Sequence, residues 1–368
     1  MLKKIGITEA QHGRKVDRDT AVLLTFVAPQ TGRSMNIILP ASLDPIPLAQ
    51  FAIEIHELPE ADEYMIDFGQ KRWFPPFSML LLSSILRSFR EKRPGGRRRA
   101  VNYENHGYAA HFGFFQSFGL DHGKEPGEAA GSSRYIPIRD LNVAQIKDEA
   151  VDRFLEVGDV IEERATELAK VLTQDEAGDL QDTLTYSIRE IMRNVVEHSE
   201  SENIHICAQY WPQRHEVEVG IVDDGVGVYA ALTSNPTHAD LDEKETLEFA
   251  LMPGISGNPM AGKRRGEWNN SGYGLYMTNR ICRNGGHFLI CSGGHGIKLS
   301  QEGKENFETS FQGTAIRLFI DTRNLSDLRG RLAAFAEEGR AAAKELAGAN
   351  DNRASTASQM LRRDFQSA

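Results

Sequence analysis

Tyr186-Ser187-Ile188-Arg189-Glu190-Ile191-Met192-Arg193-Asn194-Val195-Val196-Glu197-His198-Ser199 is the stretch whose reading decides the fold. As a helix it sets Leu184, Ile188, Ile191 and Val195 at four- and three-residue steps, which makes one buried stripe. Glu190, Asn194 and His198 recur every four residues and form a polar row on a neighbouring face. The three groups suit different tasks: a carboxylate takes a proton, an amide oxygen ligates a hard cation, and an imidazole reaches a phosphate. For such a triplet alone, a solvated face is the competing reading, and the segments that follow tip the balance.

Ile221-Val222-Asp223-Asp224-Gly225-Val226-Gly227 is an apolar strand running into an acidic, glycine-rich turn. Ser271-Gly272-Tyr273-Gly274-Leu275 then leads into a helix, and Gly313-Thr314 opens another apolar strand. Each is weak alone, because a lone Gly-x-Gly is mostly a turn. In this order they resemble the ATP-binding domain shared by DNA gyrase, ninety-kilodalton heat-shock chaperones, histidine kinases and MutL-type mismatch repair proteins, the GHKL superfamily. The resemblance runs over roughly residues 150–322. It implies an α/β sandwich of the Bergerat type with a mixed sheet, binding ATP with Mg²⁺.

By that resemblance Asp223 accepts a hydrogen bond from the adenine amine, and Thr314 bonds the base or its water. Gly225 and Gly227 carry no side chain, so the backbone can approach the base closely. Gly272, Gly274 and Leu275 belong to a turn whose amides cradle phosphates at the positive end of the following helix. No Gly-Lys-Ser/Thr triplet stands in a Walker setting. Asn194 is expected to hold Mg²⁺, and Glu190 to orient or deprotonate the attacking water. His198 either touches phosphate or only supports the helix.

The chain has 368 residues, 40% of them hydrophobic, which suits two domains with real cores. Its formal net charge of −10 disfavours general nucleic-acid binding, although a local basic patch is compatible with it. Cys207, Cys282 and Cys291 show no metal-ligand spacing, and a reduced cytoplasmic protein is the simplest account. No signal peptide is evident at the start. Nowhere do eighteen apolar residues run together, so no membrane span is expected.

The expected fold class is a two-domain α/β (α+β) chain. Residues 1–140 read as a smaller α/β regulatory domain, 141–178 as a helical connector, and 179–322 as the ATP-binding domain. Residues 323–348 read as a charged helix, and 349–368 as a polar, disordered tail. In the first part, 21–28 and 35–39 read as strands, and 63–68, 79–92 and 97–101 as a parallel strand–helix–strand unit. Residues 106–120 read as a helix and 135–138 as the last strand of that domain. The pattern is similar to the STAS-type domain of anti-sigma-factor antagonists, without a sharp motif. Ser78 is the nearest candidate for the modified residue of such a domain, but it fits a helix cap better.

Residues 87–99 hold seven basic residues and one glutamate. An anionic partner is one reading. A helix end followed by a turn is the other, and it is favoured because cations suit helix C-termini. The connector is open to three roles: joining the domains, pairing with a second subunit, or covering the sheet. Residues 229–271 read as a lid, with a short helix at 243–250; its cations Lys263, Arg264 and Arg265 are read either as meeting triphosphate or as part of a mobile basic loop without phosphate contact. His287, His295 and the other scattered histidines read as structural.

Three functions fit these features. The first is a slow ATPase acting as a nucleotide-dependent protein switch, with a protein partner or a second copy of the chain. The second is a serine/threonine protein kinase resembling anti-sigma factors. The third is a nucleotide-sensing scaffold without catalysis. A histidine kinase proper is disfavoured, because residues 141–178 contain no histidine.

Overall fold

The structure, a computed structural model, describes residues 32–69, 73–173, 178–259, 271–346 and 348–349. The strand expected at 21–28, the cations of the expected lid and all but the start of the tail lie outside the described residues.

The first half alternates β1 (Ser34–Ile38), α1 (Pro45–Glu57), β2 (Glu63–Asp67), α2 (Pro76–Lys92) and β3 (Arg97–Val101). The strands pair in parallel in the order β1-β2-β3, with Tyr64 beside both Met35 and Arg98. Parallel neighbours need crossovers, and α1 and α2 supply them, as the reading of 63–101 anticipated. Helix α2 starts three residues earlier than expected. Pro75 is its N-cap, and Pro76 suits the first position because its fixed φ is helical and its missing N–H is not needed there. Ser78, the expected cap, lies inside the helix and is buried. Two short helices follow, α3 (Gly107–His111) and α4 (Phe114–Ser117), where one was expected. Gly113 breaks them with φ +82°, and a side chain there would also press on the Pro126 backbone at 3.3 Å.

The second half contains β4 (Tyr135–Asn142), α5 (Val143–Asp152), α6 (Val157–Thr173), α7 (Asp179–Asn194), β5 (Asn203–Trp211) and β6 (Glu216–Asp223). Then come α8 (Gly227–Thr233), α9 (Glu243–Ala250), α10 (Gly274–Cys282), β7 (His287–Ser300), β8 (Lys304–Asp321) and α11 (Leu328–Ala343). Five strands form one sheet in the order β4-β5-β6-β8-β7, and every neighbouring pair is antiparallel. The mixed sheet expected from the resemblance is therefore corrected. Parallel pairing is confined to the small sheet, because β5–β6 and β7–β8 are hairpins that force neighbours to run oppositely.

Strand β4 corrects the domain boundary as well. Its residues were read as the end of the amino-terminal domain, but Ile136 pairs opposite Ala208 at the edge of the large sheet. An apolar run does not reveal which sheet it joins. The connector takes the third of its open roles: α6 packs on α7 and helps cover the large sheet.

Both faces of that sheet are buried. Ile204, Ile206 and Ala208 of β5 face a core shared with α6 and α7, while Cys207 faces a second core built with α1 and α2. The alternation in β5 therefore does not leave one side open, because helices from the first half occupy it. This explains why α2 is apolar nearly all round at its start: the small sheet and the large one both contact its core. At the join, the Phe77 amide donates to Glu218 Oε1 at 2.8 Å, and Glu218 pairs with Arg317.

Gly220 on β6 makes this approach possible, since a Cβ there would lie 2.9 Å from the Phe77 ring and 3.3 Å from its Cα. Gly220→Val is expected to lower stability by about 1–3 kcal/mol through overpacking. Chemical denaturation should show both halves unfolding together at a lower midpoint. Among the described residues, no helix is long and apolar enough to cross a membrane.

Candidate functional site

Helix α7 buries the stripe anticipated for it: Leu184, Ile188, Ile191 and Val195 all lie in the core. At Asn194 the α-helix gives way to one wider π-helical turn, Val195–Ser199, closed by the Ser199 hydroxyl donating to Val195 O at 2.9 Å and by Glu200 at φ +57°. Such turns often mark functional sites. The strict four-residue row therefore stops at Asn194, and His198 is displaced from it. Even so, Glu190, Asn194 and His198 all line one cleft between α7 and the large sheet. The cleft holds about 990 Å³ of empty space including its open mouth.

Strand β6 delivers Asp223 to the opposite wall of this cleft, directly across from Thr314 on β8. Gly313 has φ +83°, and a Cβ there would stand 2.0 Å from the Asp223 carbonyl oxygen, so only glycine lets the two strands meet at this point. Asp223 is 3% exposed. Burial lifts its carboxyl to about 7; the Gly225 amide, donating to Oδ1 at 3.0 Å, and the Thr314 side chain pull the other way, while the charge of Asp224 adds to the rise.

One of the two glycines of the acidic turn does different work from that expected. Gly227 lines the cleft, but Gly225 does not. A Cβ on Gly225 would come within 2.0 Å of Ser199 O, and the Val226 amide donates to that same oxygen at 2.8 Å. Gly225 therefore docks the turn onto the end of the central helix rather than opening room for a ligand. That docking is what brings Asp223 to the polar row.

At the other end, Gly272, Gly274 and Leu275 line the cleft at the first turn of α10. Tyr273, the N-cap, provides no side-chain hydrogen bond to this helix. A Cβ on Gly274 would lie 2.6 Å from Glu190 Oε2, so the helix start and the carboxylate are in close contact. Sequence reading passed over two further residues of this cleft, Ser271 and Arg193, and one beside it, Ser292. The Ser271 hydroxyl is buried, faces the cleft and has no hydrogen-bond partner among the described residues. Arg193 lies between Glu190, at 3.8 Å, and Glu197, at 3.1 Å. Ser292, at a bulge of β7, donates to Gly313 O at 2.6 Å and accepts from the Val228 amide at 2.9 Å. Only Ser271 had a visible signal, adjacency to the glycine turn.

Glu190 belongs to a buried ionic group. Its Oε1 accepts from Arg189 Nε at 3.1 Å and Nη2 at 3.0 Å, and Arg189 also reaches Glu162 Oε2 at 3.1 Å. Arg189 is wholly buried and lies over the Tyr186 ring. Two carboxylates around one guanidinium satisfy the pairing that a buried cation demands. His198 is held below its ordinary value by burial, with Glu197 opposing, so it meets the cleft as a neutral ring.

Four of the seven basic residues at 87–99 are consumed inside the protein, while Lys92, Arg97 and Arg99 are exposed. Arg90 donates to Phe118 O at 3.0 Å, Arg93 to His56 O and Leu58 O at 2.8 and 2.6 Å, and Arg98 to Arg90 O at 2.7 Å. Arg87 pairs with Asp224 at 2.6 Å. His205, read as merely structural, stands between Asp140 Oδ1 at 2.6 Å and Asp224 Oδ2 at 3.2 Å. The three cysteines are free and buried, and burial pushes the Cys291 thiol up to about 12.

Among the described residues no group of three or more His, Cys, Asp or Glu side chains is placed to hold a metal ion. The chain matches no protein-family model, and no curated protein matches it.

Proposed function

We propose that this chain is a GHKL-type protein with a Bergerat-type nucleotide site, binding ATP with Mg²⁺ and acting as a slow ATPase that switches a protein partner. The observation that carries this reading is the convergence on one cleft of two walls, each read separately from sequence. One wall has the acceptor pair Asp223 and Thr314; the other has Glu190, Asn194 and the start of α10. An adenine amine needs an acceptor, which Asp223 offers. The phosphates need amides and a helix N-terminus, which the Gly272–Gly274 turn offers together with the Ser271 hydroxyl, partnerless among the described residues.

Asn194 would hold Mg²⁺ through its amide oxygen. The cation would neutralise phosphate charge and orient the oxygens. With one amide as the protein ligand, the metal would arrive with the nucleotide. Asn194→Ala is expected to bind ATP about as well as wild type in EDTA, and to gain nothing when Mg²⁺ is added. Titrations with and without Mg²⁺ measure this difference, and an unchanged Mg²⁺ dependence would remove Asn194 from the metal site.

A second reading, a nucleotide sensor without turnover, is favoured by the grip of Arg189 on Glu190 Oε1, since that oxygen already accepts two guanidinium bonds and is taken up by them. Against it, Oε2 lies towards the first turn of α10, where the phosphates would sit. Incubation with ATP labelled at the γ-phosphate separates the cases. Free phosphate supports the switch, label on protein supports a kinase of the anti-sigma type, and neither supports the sensor.

A further inference from the structure

Asp224 follows the proposed adenine acceptor in sequence yet does not line the cleft. Its carboxylate is held from two sides. From α2, Ser84 Oγ donates to Oδ1 at 2.5 Å, and Arg87 donates to Oδ2 from Nη2 at 2.6 Å and from Nε at 3.2 Å. From β5, His205 Nε2 stands 3.2 Å from Oδ2, while its Nδ1 stands 2.6 Å from Asp140 on β4. Arg87 is itself steadied by a bond from Nη1 to Ser117 O at 3.1 Å. Ser84 and Arg87 lie three residues apart, on one face of the helix.

We propose that Ser84 and Arg87 are positioning residues for the nucleotide base. By holding Asp224 they fix the turn that aims Asp223, so the amino-terminal unit completes the nucleotide site rather than acting on it from outside. The inference rests on the nucleotide reading above. Its geometry is short and continuous: the clamp holds Asp224, the next amide, Gly225, donates to Asp223 Oδ1, and the amide after that is bonded to Ser199 O. A turn pinned at both ends offers its acceptor pre-aligned, and pre-organisation of this kind strengthens binding without any new ligand contact.

The charges around His205 are Asp140 and Asp224, which attract its proton, Arg87, which repels it, and Asp223, which feels the His205 charge in turn. Burial works against the charged ring, but the two carboxylate bonds outweigh it and raise His205 above its ordinary value. Burial would likewise raise Asp224, but the bond from His205 and the Arg87 charge hold it well below the usual carboxylate range. Once His205 loses its proton it donates to only one of its two carboxylates, so the advantage in ATP affinity that wild type holds over His205→Gln should shrink as the pH rises through the raised value, while the titration of Asp223 is common to both proteins.

The test is calorimetric titration of Mg-ATP into the full chain. Arg87→Met and Asp224→Asn should each weaken binding about tenfold, within the roughly 5–150-fold range of such couplings. The double variant should be no more than about twofold weaker than either single, as members of one unit are non-additive. His205→Gln should bind more weakly than wild type at low pH and converge with it at high pH, a readout that simple loosening of the fold would not give. Arg153→Met, which removes exposed pairs on α5 and α6, should change neither affinity nor profile.

Should Arg87→Met not fold, Ser84→Ala carries the test, with about threefold weaker binding expected for one lost hydrogen bond and unchanged affinity overturning the proposal. Wild-type protein that takes up no Mg-ATP overturns the nucleotide reading itself. Wild-type binding with equally tight variants, or with additive penalties, overturns this inference alone.

Discussion

Glu190→Gln is expected to cut phosphate release from Mg-ATP by about 10²–10⁴, the usual worth of a positioned general base, while changing ATP affinity by less than about threefold. Glutamine has the same shape and can still accept from Arg189, so the contacts that position α7 survive. What it cannot do is take a proton from water. The buried Arg189 keeps Glu162 as its countercharge, so the cost in stability should be modest compared with leaving a buried cation unpaired. Single-turnover phosphate release, measured beside equilibrium binding, separates the two effects. Equal turnover in variant and wild type would leave Glu190 with a purely structural part in the Arg189 cluster.

Asp223→Asn should have opposite effects on binding and on stability. Asp223 Oδ1 accepts from the Gly225 amide, so the oxygen of an asparagine will turn to that amide. Its NH₂ then faces the adenine amine, donor against donor. Losing a charge-assisted bond and leaving donors unpaired should weaken ATP binding by about 10²-fold or more. The new donor matches a carbonyl at the same place on the base, so the preference for ATP over GTP should shrink or reverse. Competition between the two nucleotides reads this directly.

The stability effect follows from linkage. Folding raises the Asp223 carboxyl from 3.8 to about 7, so the native state binds its proton more tightly than the unfolded chain does. Stability from this group is therefore fully present below about pH 4, falls as pH rises through the window to about 7, and stays lost above it. Asparagine carries no charge at any of these pH values. At pH 8 the ligand-free variant should be more stable than wild type by on the order of 1–3 kcal/mol, and near pH 4 the gain should vanish. Urea midpoints at the two pH values check the sign. A variant less stable than wild type at pH 8 would mean that the Thr314 and Gly225 bonds outweigh the cost of burying the charge. A binding site kept at the expense of stability is a common condition of functional residues.

Much of the second half was legible because its patterns are local. The stripe on α7, α9 at 243–250, and the glycine turn that leads into α10 each follow from periodicity or turn chemistry within a few residues. Several cleft-lining residues were legible for a related reason: Asp223 ends β6, Asn194 ends α7 and Gly274 begins α10, whereas Thr314 lies inside β8, which runs unbroken through the strand start expected at Gly313. The wider turn after Asn194 was not visible, since three- and four-residue spacings fit an α-helix equally well, and the shift arises from a Ser199 hydroxyl bond and from Glu200 in the left-handed region.

Long-range pairing was the harder part. The strand at β4 and the all-round apolar start of α2 announce burial but not a partner, so the boundary at 140 fell inside a strand and the covered face of the large sheet was missed. The clamp on Asp224 joins residues up to 140 positions apart, and no spacing rule links Ser84 and Arg87 to Asp140, His205 and Asp224. The basic run illustrates the same limit. Its charges suggested an anionic partner or a solvated end, whereas several of its guanidinium groups close onto backbone carbonyls of the same unit.

The central claim is that a purine nucleotide lies between the acidic turn at Asp223 and the polar row of α7. Calorimetric titration of Mg-ATP into the full-length, folded chain tests it most directly. The account predicts saturable one-to-one heat that is strongly reduced by Asp223→Asn and becomes insensitive to Mg²⁺ in Asn194→Ala. No heat and no competition by any adenine nucleotide, from protein whose folding is verified by a cooperative unfolding transition, would contradict it.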